Sequence, residues 1–352
     1  MMCSAVATFT SMRVRWLVLG LLLVGLLVPA VMITAARVLQ LDDGRAIRLV
    51  AFTPYATFLY ALALFLALVA LAASRRFWRR ASGLLVLFVL PLLVLHLAWA
   101  NGPYVGQVPE AGGETFTVMT ANLSFGDADP AQVVELAAVN RVDAMVLSEI
   151  TPDALTRMND AGLPRVLPHS AGEAAPGVSG TMVFTADEIS TVTRLDTGFN
   201  GYVMTISTDD FGTVELAAVH PHPPMDDAAI WKRDHEIIRA HVARTTASEA
   251  RIIAGDFNAT PDHAVLHELE DLGFRNGTKV ANSHWQPTWP AAGEMSVLGV
   301  AVPSMLQIDH VLAAGRARVV NTESVTIRGT DHRAVVATLA RPWFLTGQEP
   351  DS

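Results

Sequence analysis

The sequence predicts three transmembrane helices followed by a single α+β sandwich domain. Two observations predict this architecture. The first hundred residues contain three long apolar runs without a charged residue, whereas strand-like and helix-like stretches alternate from residue 115 onward, without internal repeats. Mixed runs of strands, separated by helices over about 240 residues, are typical of a sheet sandwich that carries helices on its outer faces.

The three apolar runs cover residues 16–36, 49–73 and 81–100. Each is long enough to cross a hydrocarbon layer of about 30 Å at about 1.5 Å per helical residue. The first run is also longer than the apolar core of a signal peptide. We therefore expect residues 1–100 to form a membrane anchor whose partner is the lipid bilayer.

The arginines that flank these runs predict the orientation of the anchor. Arg13 and Arg15 precede the first run, and four more arginines lie in the loop 75–80. The segment 101–114, a Gly- and Pro-rich tether, has no Lys or Arg, and the loop between the first two runs mixes arginine with aspartate. Cytoplasmic loops carry the excess of positive charge, so the N-terminus and loop 75–80 are expected in the cytoplasm. Three crossings then place everything after residue 100 outside the cytoplasm.

The charge and cysteine content of the outer portion exclude some functions. Beyond residue 100 the chain has 16 basic and 32 acidic residues, which works against indiscriminate binding to a nucleic-acid backbone. A nuclease is not excluded, because bound divalent cations offset local negative charge. Cys3 is the only cysteine and precedes the first helix. The outer domain therefore has no disulfide partner and no thiol chemistry.

Alternation and helical spacing predict the elements of the domain in order. Strands are expected at 115–124, 143–150, 180–186, 191–198, 201–208, 213–222, 252–258, 307–315 and 333–340, and helices at 129–140, 151–162, 227–247 and from 260. The strands at 201–208 and 213–222 are joined as a hairpin by the short turn between them.

The stretch "IIAGDFNATPDH", residues 252–263, places two polar side chains at the end of an apolar strand. Asp256 and Asn258 are two positions apart, and the period of a strand would point both to the same side. Thr260 and Pro261 are then expected at the first turn of a helix. The pair fits either of two interpretations: an Asx-type turn that closes the strand, or two residues of a functional site.

The other strands favour the second interpretation, because polar residues of the same few types lie at their ends. The set is Asn122, Glu149, His220, Asp256, Asn258, Asp309, Asp331 and His332. Strand ends that converge at one edge of a sandwich would gather these side chains into a single cleft. Carboxylate and amide oxygens suit Mg²⁺ or Mn²⁺, and histidines supply a proton or a donor, so the set suits hydrolysis at phosphorus.

This ordered set resembles the motifs of the endonuclease/exonuclease/phosphatase superfamily. The motifs are "GDFN", the strand-ending Asn and Glu, "IDH" and a late "TDH", in this order. The resemblance implies a four-layer αββα sandwich over residues 115–345. It also implies divalent-metal-dependent cleavage of phosphoesters, which that superfamily performs on nucleic acids, inositol phosphates and sphingomyelin.

The resemblance also implies roles for the residues that match its motifs. Glu149 would be the principal metal ligand, with Asn122 and Asp331 near the same metal. Asp256 would orient or deprotonate the attacking water, and Asn258 would hold a phosphate oxygen.

The remaining motifs supply histidines and a pocket wall. His332, oriented by Asp309, would stabilise the transition state or act as an acid–base group. His220 would contact the phosphate or assist the leaving group, although no acidic partner for it is identifiable from the sequence. Trp289 would shape the substrate pocket, unless it packs as an ordinary core residue.

The layout of anchor and outer domain resembles actinobacterial membrane proteins linked to teicoplanin resistance. That resemblance implies a multi-pass protein of the bacterial cell membrane, with a membrane-borne substrate such as a polyprenyl pyrophosphate or a phospholipid head group. The uncharged segment 295–306 is then either a lip that touches lipid or a packed strand or loop. Two other functions remain open: an extracellular nuclease that cleaves DNA, and a non-catalytic anchored binding module.

Overall fold

The computed structural model describes residues 2–74, 77–100, 112–225, 227–244, 250–281, 283, 285–291 and 293–341. The chain divides into two compact units, Met1–Asn101 and Gly102–Ser352. Most of the expected tether, residues 101–111, and the last residues of the expected domain, 342–345, lie outside the described part.

Helices form the first unit. They are α1 (Met2–Leu39), α2 (Gly44–Val50), α3 (Thr53–Ala73) and α4 (Phe77–Ala100). Three stretches within them are long and apolar enough to cross a membrane: Val14–Leu39, Thr53–Ala73 and Trp78–Ala100.

The second apolar run begins its long helix at Thr53 instead of residue 49. Asp43 caps the separate short helix α2, because its carboxylate accepts from the backbone N–H groups of Arg45 and Ala46. Pro54 then lies in the first turn of α3, where proline has no hydrogen bond to lose.

Polar side chains connect the three long helices. The hydroxyl of Thr34 lies 2.7 Å from the hydroxyl of Tyr60 and 2.9 Å from Nε2 of the buried His96. These contacts join α1, α3 and α4. Within a bilayer, hydrogen bonds of this kind satisfy polar groups that lipid does not.

In its described residues, which begin at 112, the second unit contains fourteen strands and six helices. In chain order they are β1 (Gly112–Asn122), α5 (Pro130–Val139), β2 (Ala144–Ser148), α6 (Pro152–Asp160), α7 (Leu163–Val166), β3 (His169–Glu173), β4 (Thr181–Thr185), β5 (Ile189–Leu195), β6 (Gly201–Thr208), β7 (Gly212–Val219), α8 (Ala228–Val242), β8 (Ala250–Asp256), α9 (Ala264–Asp271), β9 (Arg275–Asn276), α10 (Gly277–Val280), β10 (Ser296–Val297), β11 (Val300–Ala301), β12 (Asp309–Gly315), β13 (Arg318–Thr326) and β14 (Arg333–Arg341).

Two mixed six-stranded sheets form the centre of this unit. The first has the order β13-β14-β1-β2-β4-β3, the second β5-β6-β7-β8-β12-β9, and β10 and β11 form a separate hairpin. Alternation along β1 shows how the layers arise. Phe116 and Val118 belong to the apolar core shared by the two sheets, whereas Met119 and Ala121 belong to the core under α5, α6 and α7.

The other helical layer contains α8 and α9, and its side chains reach the second sheet. Trp231 of α8 donates to the carbonyl of Asn258, two residues after the end of β8, and His235 stacks on Phe257. The predicted α+β fold, a four-layer αββα sandwich after three long apolar helices, is confirmed.

Strand direction places the predicted residues at one edge. β1 and β2 run parallel, as do β7 and β8, so the ends of each pair lie together. The polar residues do not all follow their strands: Asp309 begins β12, and His332 directly precedes β14, the strand expected at 333–340. Both strands are antiparallel to their neighbours, and Asp309 pairs with Asp256. An antiparallel strand brings its start to the edge where its neighbour ends, so the residues still converge.

The helix expected from Thr260 begins four residues later, at Ala264. The hydroxyl of Thr260 bonds to Nδ1 of His263, 3.0 Å away, so it does not cap a helix at that position.

Candidate active site

Asp256, the last residue of β8, uses its two carboxylate oxygens for different purposes. Oδ1 accepts a hydrogen bond from the backbone N–H of Asn258, 2.9 Å away. Oδ2 faces three nitrogens: Nδ2 of Asn122 at 3.0 Å, Nε2 of His220 at 3.7 Å and Nε2 of His332 at 3.8 Å. One oxygen closes an Asx-type turn, and the other lies at the centre of the polar cluster. The Asx-type turn of the first interpretation is therefore present, and the second oxygen faces other residues of the predicted set.

Asn258 is not in a strand, and the period-2 prediction for it is wrong. Its φ is 48°, in the left-handed region, where Asn is favoured among non-glycine residues. Its side-chain amide donates to the carbonyl oxygen of Pro221, 3.1 Å away. Asn258 therefore lies beside the segment that follows β7. Gly255 permits this approach, because a Cβ at Gly255 would overlap the carbonyl oxygen of Val219.

Asn122 connects two carboxylates. Its Nδ2 donates to Glu149 and to Asp256, each at 3.0 Å, while its Oδ1 accepts from the N–H of Ser124. Glu149 directly follows β2 with a φ of 57°, and its second oxygen accepts from the N–H of Phe125 at 2.8 Å. Because Asn122 directs its amide nitrogen, a hydrogen-bond donor, at both carboxylates, it positions the two carboxylates in this arrangement.

His332 lies between two buried aspartates. Its Nδ1 donates to Asp309 Oδ2 at 2.9 Å, and its Nε2 faces Asp256. Burial by itself would lower the pKa of His332, but the carboxylates of Asp309 and Asp256 outweigh burial and raise this pKa to about 10. The imidazole is consequently a cation at neutral pH.

His220 is the second histidine of the cluster and has the opposite electrostatic character. It is buried, and burial lowers its pKa to about 4 despite the opposing effect of Asp256. The nearest carboxylate is that of Asp256, which His332 shares. The ring of Phe199 packs against His220 at a centroid distance of 4.8 Å. The buried Asp234 of α8 holds the neighbouring loops, because its two oxygens accept from Gly198 N and His222 N.

The indole of Trp289 donates to Asp331 Oδ2 at 3.0 Å. The backbone of Trp289 pairs with that of Leu306, so the segment between these two residues begins and ends at the same place in the domain. Trp289 is therefore held beside the residue that precedes His332.

Three side chains outside the predicted set hold the backbone after Asp256. Trp231, His235 and His310, here called the carbonyl clamp, donate to three successive carbonyls. Trp231 Nε1 donates to Asn258 O at 3.0 Å, His235 Nε2 to Phe257 O at 3.0 Å, and His310 Nε2 to Ala259 O at 2.8 Å. A backbone acceptor has no sequence motif, and this is why the sequence did not reveal the clamp.

The donor set fits a hard divalent cation. Burial raises the pKa of Glu149 and of Asp256, and the cationic group nearest to Asp256 in the described residues is the imidazole of His332, not a Lys or an Arg. Asp309 Oδ1 is buried and accepts no hydrogen bond from a described residue. Buried carboxylate oxygens of this kind are the ligands that Mg²⁺ and Mn²⁺ prefer.

The cluster that geometry selects differs from the predicted metal ligands. Among the described residues, the ligand atoms of Asp256, Asp309 and His332 lie within 4.8 Å of one another. The predicted metal ligands were Glu149, Asn122 and Asp331. Glu149 is linked to the cluster by the hydrogen bond that it accepts from Asn122, whereas Asp331 Oδ2 accepts a hydrogen bond from Trp289.

A mixed αββα sandwich that carries buried carboxylates and a cationic imidazole at one edge is the scaffold of a phosphoesterase. The family model "Endonuclease/Exonuclease/phosphatase family" matches residues 119–332, which is more than half of the chain. The chain belongs to this family, and its second unit is a phosphoesterase hydrolase.

Solved structures agree with this fold. An endonuclease/exonuclease/phosphatase from Beutenbergia cavernae matches with a TM-score of 0.50 and 17% identity, covering 64% of this chain and 72% of that chain. TDP2 of D. rerio, complexed with a single strand DNA product, matches with a TM-score of 0.52 and 11% identity, covering 64% and 99%. At these identities the likeness shows the fold alone. A comparison with curated protein sequences gives no match.

Proposed function

We propose that this protein is a membrane-anchored phosphoester hydrolase that uses Mg²⁺ or Mn²⁺ and acts on a phosphate carried by the membrane. The observation that carries the proposal is the cluster of Asp256, Asp309 and His332, linked to Glu149 through Asn122, in a family phosphoesterase domain that follows three apolar helices. The substrate class is a polyprenyl pyrophosphate or a phospholipid head group.

In this proposal Glu149 and Asp256 hold the cation, and Asp331 lies near it. The two carboxylates share the same Asn122 donor, which supports their action as a pair. A bound Mg²⁺ or Mn²⁺ would neutralise charge on the phosphate oxygens. Asp256 also accepts a proton from the attacking water.

The two histidines have different roles in this proposal because their charges differ. His332, kept cationic by Asp309, stabilises negative charge on the phosphoryl oxygens or donates a proton to the leaving group. The neutral His220 contacts the phosphate, and Asn258 holds one of its oxygens. The hydrogen bond from His332 to Asp309 supports an orienting role for Asp309, as for other histidines paired with a buried carboxylate.

Charge favours a membrane substrate over DNA. Beyond residue 100, acidic residues outnumber basic ones two to one, and single-stranded nucleic-acid sites combine cationic grooves with stacking aromatics. The arginine distribution supports a multi-pass protein of a bacterial cell membrane whose catalytic unit is extracytoplasmic, like the teicoplanin-resistance membrane proteins. A reporter enzyme fused after residue 352 should therefore be active only outside the cytoplasm, and one inserted at 75–80 only inside. The reverse result would refute this orientation.

A substrate panel tests the function. The full-length chain in lipid nanodiscs is incubated with isoprenoid pyrophosphates, phospholipids, inositol phosphates or plasmid DNA, with Mg²⁺, Mn²⁺ or a chelator. Metal-dependent release of phosphate or head group from a membrane substrate is the expected result. Cleavage of DNA alone would establish the nuclease alternative, and binding without turnover would establish a non-catalytic module.

Two variants separate the metal ligand from the base. Glu149→Gln should weaken metal binding, so that high Mg²⁺ or Mn²⁺ restores part of the rate. Asp256→Asn removes general-base assistance as well, which commonly costs about 10²–10⁴-fold in rate, and added metal should not restore it. Rates are measured against metal concentration. Wild-type rates in both variants would refute the assigned roles.

A further inference from the structure

Most of the large apolar side chains exposed on the catalytic unit lie on segments that adjoin residues of the site. Seven are exposed among the described residues, and five of them lie on three segments next to site residues: Phe125, Met225, Val297, Leu298 and Val300, here called the apolar rim. The backbone of Phe125 bonds to Glu149, and Met225 follows His220 and His222 closely. The other three lie on the β10–β11 hairpin, whose base is the pairing of Trp289 with Leu306.

The tip of the hairpin carries two unfavourable features that folding does not explain. Leu298 is 99% exposed and has a φ of 52°. With Gly299, also at positive φ, it forms a two-residue turn of the type that normally takes Asn, Asp or Gly. A leucine there is strained and its side chain contacts water, so Leu298 is best explained by contact with something apolar outside the unit.

The composition of the hairpin defines the chemistry of that partner. No charged residue occurs from Met295 to Ile308, although the chain beyond residue 100 has twice as many acidic as basic residues. Such a domain is not drawn to an anionic membrane surface by charge, so contact with lipid must come from apolar insertion.

The connection to the anchor identifies the bilayer. Eleven residues, 101–111, join the end of α4 to the start of β1. A chain of this length spans at most about 40 Å, so a bilayer that holds the three apolar helices would be within reach of the catalytic unit.

We propose that the apolar rim docks the mouth of the site onto this bilayer, with Leu298 inserted among the acyl chains. This proposal deepens the proposed function and rests on it, because docking of this kind lets a lipid phosphate enter the site without leaving the membrane. The segment expected from sequence to be either a lipid-touching lip or a packed strand is, in its exposed part, a hairpin suited to the first role.

A fluorescent label at the tip tests the insertion. Cys3, the only cysteine, is replaced by Ser, and the full-length chain with Leu298→Cys carries an environment-sensitive fluorophore at residue 298. The protein is reconstituted in vesicles of equal parts phosphatidylcholine and phosphatidylglycerol, with or without nitroxide on the acyl chains. Val139→Cys is the matched control, because Val139 is an exposed apolar residue at the end of α5 and belongs to none of the rim segments.

Quenching by nitroxide at residue 298 but not at 139 supports docking. Equal quenching at both positions, or at neither, overturns it. A signal at 298 that depends on protein concentration and not on nitroxide indicates a second copy of the chain, and also overturns it.

A second variant excludes a folding defect. Leu298→Asn suits the positive φ better than leucine, so it should not lower the unfolding midpoint. It removes a side chain whose burial corresponds to about a tenfold partition constant, so the ratio of hydrolysis in vesicles to hydrolysis of a short-chain soluble phosphoester should fall about tenfold. An unchanged ratio contradicts docking.

The two proposals fail in different ways. If residue 298 is quenched but no membrane phosphoester is hydrolysed, docking stands and the substrate proposal fails. If membrane phosphoesters are hydrolysed while residue 298 is not quenched, docking fails and the substrate proposal stands.

Discussion

Replacing Trp231 with Phe tests whether the carbonyl clamp positions the loop that carries Asp256 and Asn258. The change keeps an aromatic ring on α8 but removes the indole N–H that donates to Asn258 O. We expect both the stability of the catalytic unit and its turnover to fall, because the loop conformation depends on this hydrogen bond.

The magnitude of the stability loss follows from burial and backbone conformation. Trp231 is buried and Asn258 is half-buried, and a carbonyl left without a donor away from water costs about 1–3 kcal/mol. Asn258 is at positive φ, which costs a non-glycine residue about 1–2 kcal/mol, so this turn has little stability of its own. A loss of about 2 kcal/mol would lower the unfolding midpoint of a unit of this size by about 4–8 °C.

The catalytic effect separates positioning from stability. A shift of the loop should lower kcat about tenfold or more, because small displacements of reacting groups are costly. Ile238→Val is the control: Ile238 is buried on the same helix, and losing one methyl group there costs about 0.5–1.5 kcal/mol without touching the loop. Thermal melts and kcat are measured on full-length protein in nanodiscs. If Trp231→Phe and Ile238→Val have the same kcat at a temperature where both are folded, the clamp does not position the loop.

Three further predictions follow from the same structure. Asp309→Asn should lower kcat about 10²–10⁴-fold, because His332 loses the charged partner that orients it; near-normal turnover would contradict this. Burial lowers the pKa of His235 to about 3. The stability that the neutral His235 contributes is therefore present above the unfolded-state pKa of about 6.5 and is lost as the pH falls, by about 2 kcal/mol at about pH 5. Melts of His235→Gln should lack this part of the acid destabilisation. Gly255→Ala should abolish expression of folded protein or lower stability by more than about 3 kcal/mol, whereas Gly177→Ala, which meets open space, should cost only about 1 kcal/mol in the same melts.

The sequence was informative where a local pattern and a local structure coincide. An apolar run that ends in Asn, Glu or Asp shows both a buried strand and its polar terminus. Asn122 and Asp256 were therefore assigned to the ends of the strands that the structure gives them. The long uncharged runs identified the helices in the same way.

The sequence was uninformative where a contact joins residues far apart in the chain. Asp309 and His332 lie at the starts of strands, and only antiparallel pairing brings them to the edge where β8 ends. His235 looks like an apolar-face residue of an amphipathic helix, yet its ring donates to a carbonyl 22 positions away. The left-handed conformation of Asn258 was also missed, because the apolar residues before it continue the strand pattern.

The two oxygens of Asp256 change how a substitution there must be interpreted. From sequence alone, Asn is nearly isosteric with Asp and should cost little stability. In the structure Oδ1 accepts from Asn258 N and Oδ2 from Asn122 Nδ2, so an amide would place an NH₂ group against a donor in either orientation. One lost acceptor here costs about 1–3 kcal/mol, and a fall in rate could then reflect a loosened turn. Glu149→Gln suffers the same conflict, because its two oxygens accept from Asn122 Nδ2 and Phe125 N. The two variants are therefore matched in their structural cost. A difference between them in metal rescue reports the chemistry, and equal rescue in both would show that Asp256 acts only as a ligand.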